Sequence, residues 1–341
     1  MSSFTVGLAV LGGLVLAVLV AWSTWTTRRN TPRQPEAAAA GAPRALDERE
    51  DPVFDPSSLA PPLPVIEKKP GLDALIDVLT PIALEGPVSG DAALAAMPPT
   101  RRAGSKPFAI EGFNDITQQW EMPQPGQRYT AFQAGVQLAN RTGALNEIEY
   151  SEFVVKAQAF ADAINGAAEF PEMLDEVARA RELDQFASGH DAQLSFTLRA
   201  RNAAWSPGYV QQTAARLGFV AGAIPGRMVL PATSPGSHPV LGLSFDSQAA
   251  MADDPAQSAL RSLTLSLDVP QVDRGEQPFL RMREAADALA ASMEGIITDD
   301  NGQAIRAEAL DVIGADLEKL YDKLDARDLA AGSPQARRLF S

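Results

Sequence analysis

A chain of 341 residues with 45% apolar side chains holds two ordinary domains or one large one, with ample material for a core. Its formal net charge of -14 excludes a nucleic-acid partner, whose phosphates demand a basic stripe, and the lack of cysteine excludes disulfides, thiolate metal sites and Cys nucleophiles. His190 and His238 are the only histidines, which leaves little room for a Ser/His relay, so no catalytic residue, metal or cofactor is expected.

In chain order, Phe4 to Trp22 is an uncharged run about as long as a hydrocarbon core is thick. Trp22 and Trp25 stand where an aromatic belt belongs, and Arg28, Arg29 and Arg33 follow with no Lys or Arg before them. The positive-inside bias then puts the amino terminus in the periplasm and everything after Arg28 in the cytoplasm. A cleaved signal peptide would need a basic n-region and a shorter apolar core. Residues 1–27 are therefore read as a single-pass inner-membrane anchor. Thr5, Ala9, Gly13, Ala17 and Ala21 lay small side chains along one helical face, which raises a homodimer through this helix as an alternative to chance composition. Residues 28–70 are rich in Pro and Ala without helix or strand period, and read as a disordered tether. Its reach lies between about 35 Å as a coil and roughly 130 Å if polyproline-like.

From Gly71 the pattern turns to mixed α and β. Ile76 to Leu84 reads as a strand, Ser89 to Met97 as a helix, and Pro107 to Phe113 and Thr117 to Met122 as strands. A further strand carries Ala134, Val136 and Leu138. The stripe Tyr150, Phe153, Ala157, Phe160 and Ile164 marks a helix stopping at Gly166, and Leu174 to Phe186 a closing helix. Ala192 to Ala200 alternates, with Phe196 and Leu198 on one face and Ser195, Thr197 and Arg199 on the other. Ser206 and Pro207 open a helix that stops at Gly218. Phe219 to Leu230, Val240 to Phe245 and Leu260 to Val269 read as strands. The stripe Phe279, Met282, Ala286, Leu289 and Met293 predicts a helix ended by Gly295, then a strand Ile296 to Asp299 and a last helix Arg306 to Asp328. One constant offset carries Tyr150 onto Phe279, Gly166 onto Gly295 and Ala134 onto Leu263, which suggests a duplicated unit.

Several residues have plainer readings. Trp205 and Trp120 read as core or lid residues, and His190 and His238 as solvated. Asp299 to Gly302 fits a hairpin turn better than a calcium loop. Residues 331–341, with Arg337, Arg338, Leu339 and Phe340, read as a flexible, frayed tail.

Leu217-Gly218-Phe219, Leu267-Asp268-Val269-Pro270, Phe279-Leu280-Arg281-Met282, Ala285 to Ala290, Gly295-Ile296-Ile297 and Asp299-Asp300, taken with the long last helix, give a diffuse but ordered pattern. In this pattern the second half of the chain resembles the C-terminal domain of the ZipA family of bacterial cell-division proteins. The resemblance implies an α+β head, a split β-α-β antiparallel sheet with helices on one face; the constant offset adds a second copy, giving units at 71–189 and 190–330, and in this the chain departs from the family, whose members ordinarily carry one such domain. It implies a non-enzymatic adaptor at the septum, whose open sheet face binds the C-terminal tail of FtsZ, the tubulin-like division GTPase, as an amphipathic segment. Carried onto this chain, the peptide-binding positions are Ser195, Thr197, Ile224, Gly226, Met228, Ser266 and Asp268. Ser195, Thr197, Ser244, Ser266 and Asp268 are polar where the family's groove is apolar, and Ile224, Met228 and Leu230 supply the apolar surface. A structural or regulatory division protein, whose paired heads recruit a different partner, is the alternative.

Overall fold

Alternating apolar and polar residues build two antiparallel sheets, and the apolar face of each is closed by amphipathic helices. The computed structural model describes residues 32–35, 71–234, 236–254, 257–299 and 301–341. The expected anchor, its small-residue stripe and the tether apart from residues 32–35 lie outside the described residues. Among the described residues no helix is long and apolar enough to cross a membrane.

The first unit opens with β1 (Asp77–Leu84), β2 (Val88–Ser89), α1 (Gly90–Ala96), β3 (Arg102–Ala103), β4 (Lys106–Asn114), β5 (Trp120–Glu121) and β6 (Arg128–Gln137). A small hairpin, β7 (Ala139–Asn140) and β8 (Gly143–Ala144), leads into α2 (Glu147–Ala163), β9 (Gly166–Ala168) and α3 (Met173–Ser188). The sheet order is β3-β4-β6-β1-β9, with β2 added to β6 and β5 to β4, and every pairing is antiparallel. Phe108, Val136 and Val78 stand side by side across three strands. The Phe108 ring lies 5.9 Å from Phe153, and Phe132 lies 5.3 Å from Phe160, so α2 covers this face. Asn146 starts α2 with a complete capping box, its side chain accepting from the Glu149 amide while Glu149 reaches back.

The second unit runs through β10 (Gln193–Ala200), α4 (Pro207–Arg216), β11 (Val220–Ala221), β12 (Arg227–Leu230), β13 (Leu241–Ser244) and the single turn α5 (Ser247–Ala250). It continues with β14 (Ser262–Asp268), α6 (Pro278–Met293), β15 (Gly295–Thr298) and the first half of α7 (Ala307–Asp325), whose residues from 317 onward belong to the first unit. The order is β11-β12-β13-β14-β10-β15, again antiparallel throughout. Phe196, Leu198, Leu263, Leu265 and Leu267 are buried, and Phe196 meets Phe279 of α6 at 6.5 Å. Ser206 caps α4 as expected, accepting from the Tyr209 amide at 3.2 Å.

In each sheet the strand before the long helix pairs with the opening strand, which in turn pairs with the short strand after that helix: β6-β1-β9 and β14-β10-β15. The two expected helix-ending glycines are not the terminators. Asn165 (φ 54) and Glu294 (φ 52) adopt the left-handed conformation that ends α2 and α6. Gly166 and Gly295 instead open the next strand. A Cβ at Gly166 would come 2.8 Å from Ile82 Cγ2, and one at Gly295 3.0 Å from Leu198 Cγ, so each glycine is needed for close strand approach.

Residues 71–192, 269–273 and 317–341 form the first compact unit, and 32–35, 193–268 and 274–316 the second, instead of two contiguous blocks. The last residues account for much of the difference. Far from fraying, they form α8 (Pro334–Leu339), capped by Ser333, with Leu339 and Phe340 fully buried. Arg338 makes a two-pronged ion pair with the buried Asp77 at 2.5 and 2.8 Å, and Gln271 donates to the Phe340 carbonyl at 2.7 Å. The apolar Leu339-Phe340 pair, which cannot stay in water cheaply, outweighs terminal position. His190 is half-buried, with its ring stacked on Phe186 at 4.3 Å. Of the expected strand Thr117 to Met122, Trp120–Glu121 alone pairs.

Candidate peptide-binding face

The helix-free side of the second sheet follows from strand parity. Val220, Val229, Gly242, Ser266 and Ser195 lie side by side across five strands. The next row on the same side is Arg227, Ser244, Thr264, Thr197 and Thr298. No aromatic or long aliphatic side chain stands in the middle of either row. The floor is therefore low, made of one glycine and short hydroxyl side chains, with apolar surface at the β11–β12 edge, where Val220 is 48% exposed, and at the far edge, where half-buried Ile296 stands opposite Arg199.

Gly242 sets the depth. A Cβ there would come within 2.7 Å of Ser266 Oγ, the same hydroxyl that donates to the Gly242 carbonyl at 3.3 Å. Thr298 donates its hydroxyl to the Thr197 carbonyl at 3.1 Å, which ties β15 to β10 beside the trough. An extended or helical segment laid here can approach the sheet closely and meet hydroxyl donors and acceptors along its length.

Of the expected peptide-binding positions, Ser195, Thr197 and Ser266 share this trough, and Asp268 lies opposite Gln193 at one end of the same sheet. Ile224 and Gly226 are not strand residues. They form the turn between β11 and β12, where Arg227 N donates to the Ile224 carbonyl at 3.1 Å and Ile224 is 53% exposed. Gly226 has φ +77°, and a Cβ there would lie 2.7 Å from the Phe245 carbonyl, so its role is to shape the turn.

Met228 is on the wrong side. It pairs with Leu243, which pairs with Leu265, which pairs with Phe196, and that row faces α6. Met228 is 5% exposed and Leu230 is 8% exposed, so both belong to the core and not to the apolar surface expected of them. The error comes from treating Phe219 to Leu230 as one strand. Pro225-Gly226 is a turn signal that breaks it in two. With the break in place, Val229 becomes outward and Met228 inward. Val220, Val229 and Gly242 are the trough residues that sequence reasoning missed.

Trp205 is the core residue expected: it is fully buried and its indole donates to the Met293 carbonyl at 2.9 Å. Trp120 is not. It is 40% exposed and packs at 5.3 Å on Phe113, on the side of the first sheet away from Phe132. The expected hairpin turn is present, with Gly302 N donating to the Asp299 carbonyl at 3.0 Å.

No curated protein matches the chain. Residues 248–315, which span β14, α6 and β15, match the family described as ZipA, C-terminal FtsZ-binding domain. The match falls within the second unit, whose antiparallel sheet is covered by helices on one face.

Proposed function

We propose that this chain is a membrane-anchored cell-division adaptor, not an enzyme, that tethers FtsZ to the inner membrane at the septum by holding its C-terminal tail on the open face of the second sheet. The family match over residues 248–315 carries the reading, because it covers β14, the strand at the centre of the trough. Ser195, Thr197, Ser266, Val229 and Gly242 are the contact residues on this reading. The shared central strand order of the two sheets supports treating the units as copies of one plan. Anchoring rests on the Phe4–Trp22 run and the arginines that follow it.

One observation favours the alternative of a different partner. The trough floor is Ser, Thr and Gly, where an amphipathic tail needs apolar anchors. The first sheet has such surface in Phe113 and the half-exposed Trp120. A pull-down on the full chain separates the two. An immobilised FtsZ tail peptide should retain the chain, and Ser266→Arg, which fills the trough beside Gly242, should lower retention at least ten-fold. Undiminished retention by that variant, with loss on Trp120→Ala, would move the site to the first unit; no retention at all would favour a different partner.

A further inference from the structure

The second unit holds a short piece of chain that precedes the rest of it by more than a hundred residues. Arg33 N donates to the Ala204 carbonyl at 2.8 Å, and Ser206 N donates to the Arg33 carbonyl at 3.0 Å. This makes a parallel bridge between Arg33 and Trp205. On its other edge Trp205 exchanges both backbone hydrogen bonds with Leu260, at 2.9 and 2.8 Å. Trp205 is thus bridged on one edge by Leu260 and on the other by Arg33, which is strand addition on the scale of a single residue.

The side chains fit as well. Arg33 Nη2 lies 2.6 Å from Glu294 Oε2. Glu294 stands at the C-terminus of α6, where the helix dipole disfavours a carboxylate, and the last turn of α6 has no basic residue of its own. Arg33 supplies the missing cation; it holds the Glu294 carboxyl below its usual range. Tyr209 hydrogen-bonds the same guanidinium. Pro35 lies over Gly208, its Cγ 3.6 Å from where a Cβ would stand, so a side chain at 208 would meet the segment at ordinary van der Waals distance.

We propose that this groove is a binding site for an extended Arg-x-Pro segment, and that its ligand is the chain's own residues 32–35, acting as a strap. The consequence rests on the anchor reading above. If the span ends near Trp22, residues 23–31 separate it from the strap, at most about 32 Å of fully extended chain. The second unit then works close to the bilayer. Releasing Arg33 would lengthen the reach to that of the whole segment 28–70.

The absence of cysteine makes the test clean. A Pro35→Cys, Gly208→Cys double variant of the full chain, in native membranes with a mild oxidant, should cross-link within one molecule. Arg33→Glu should slow that cross-linking at least ten-fold, and adding Glu294→Arg should restore it. Melting curves of the single-cysteine chains check that neither change unfolds the unit. Absence of the cross-link, or a rate indifferent to Arg33→Glu, overturns the strap. A covalent dimer band overturns it too, because the groove would then take the segment of another copy. Carbonate extraction of the same membranes reads the anchor separately: a cross-linked chain released into the soluble fraction sinks the anchor reading and leaves the strap standing.

Discussion

Phe340→Ala will destabilise the first unit by about 3–5 kcal/mol, the usual cost of emptying a fully buried aromatic site. Phe340 is 0% exposed although it is the penultimate residue of the chain. Its backbone is tied by Gln271, and the preceding turn by Arg338 on Asp77. Arg338→Ala should act in the same direction, since it leaves the Asp77 carboxylate, itself 0% exposed, without its counter-charge. Burial already pushes the Asp77 carboxyl up, and Arg338 pulls the other way. Losing the arginine should therefore raise it further and turn neutral pH from tolerable to costly. Urea unfolding followed by a probe in the first unit measures both variants. A midpoint unchanged in Phe340→Ala would mean that the tail frays.

Met228→Asp and Val229→Asp will part company although the two residues are neighbours. Met228 faces α6 from the row that contains Leu243, Leu265 and Phe196, so a carboxylate there is buried without a partner. That costs several kcal/mol, on the order of 3 or more, and should leave the second unit largely unfolded. Val229 faces the trough beside Gly242, so Val229→Asp should fold with a near-normal melting temperature and lose FtsZ-tail binding. Circular dichroism melts read the first effect, and peptide titration the second. Equal stability of the two variants would put Met228 on the open face after all.

Local signals read the fold well where side-chain period and caps agree. Ser89, Asn146 and Ser206 mark helix starts through hydrogen bonds made within a few residues, and the stripe from Phe279 to Met293 falls on the buried side of α6. Errors arose where a local pattern was overruled by something distant. Met228 fits an outward position only if one strand runs through Pro225-Gly226. Leu339 and Phe340 look like a loose end until the segments 71–192 and 269–273 are beside them. Lys106, which drew no reading from the sequence, is 1% exposed, with Nζ donating to Asn140 Oδ1 at 2.9 Å and to the Gly143 carbonyl at 2.6 Å. No spacing in the sequence announces that cage. The candidate site was legible in its central residues, Ser195, Thr197 and Ser266, because strict alternation fixes their face. Its edge at Val220 and Val229 was not, because parity there depends on the turn.

Amide hydrogen exchange on the full chain, with and without saturating FtsZ tail peptide, tests the central claim most directly. The account predicts added protection in β12, β13, β14 and β10, centred on Val229, Gly242, Ser266 and Ser195, with the first unit unchanged. Protection confined to the Phe113–Trp120 surface, or none in either sheet at saturating peptide, would contradict it.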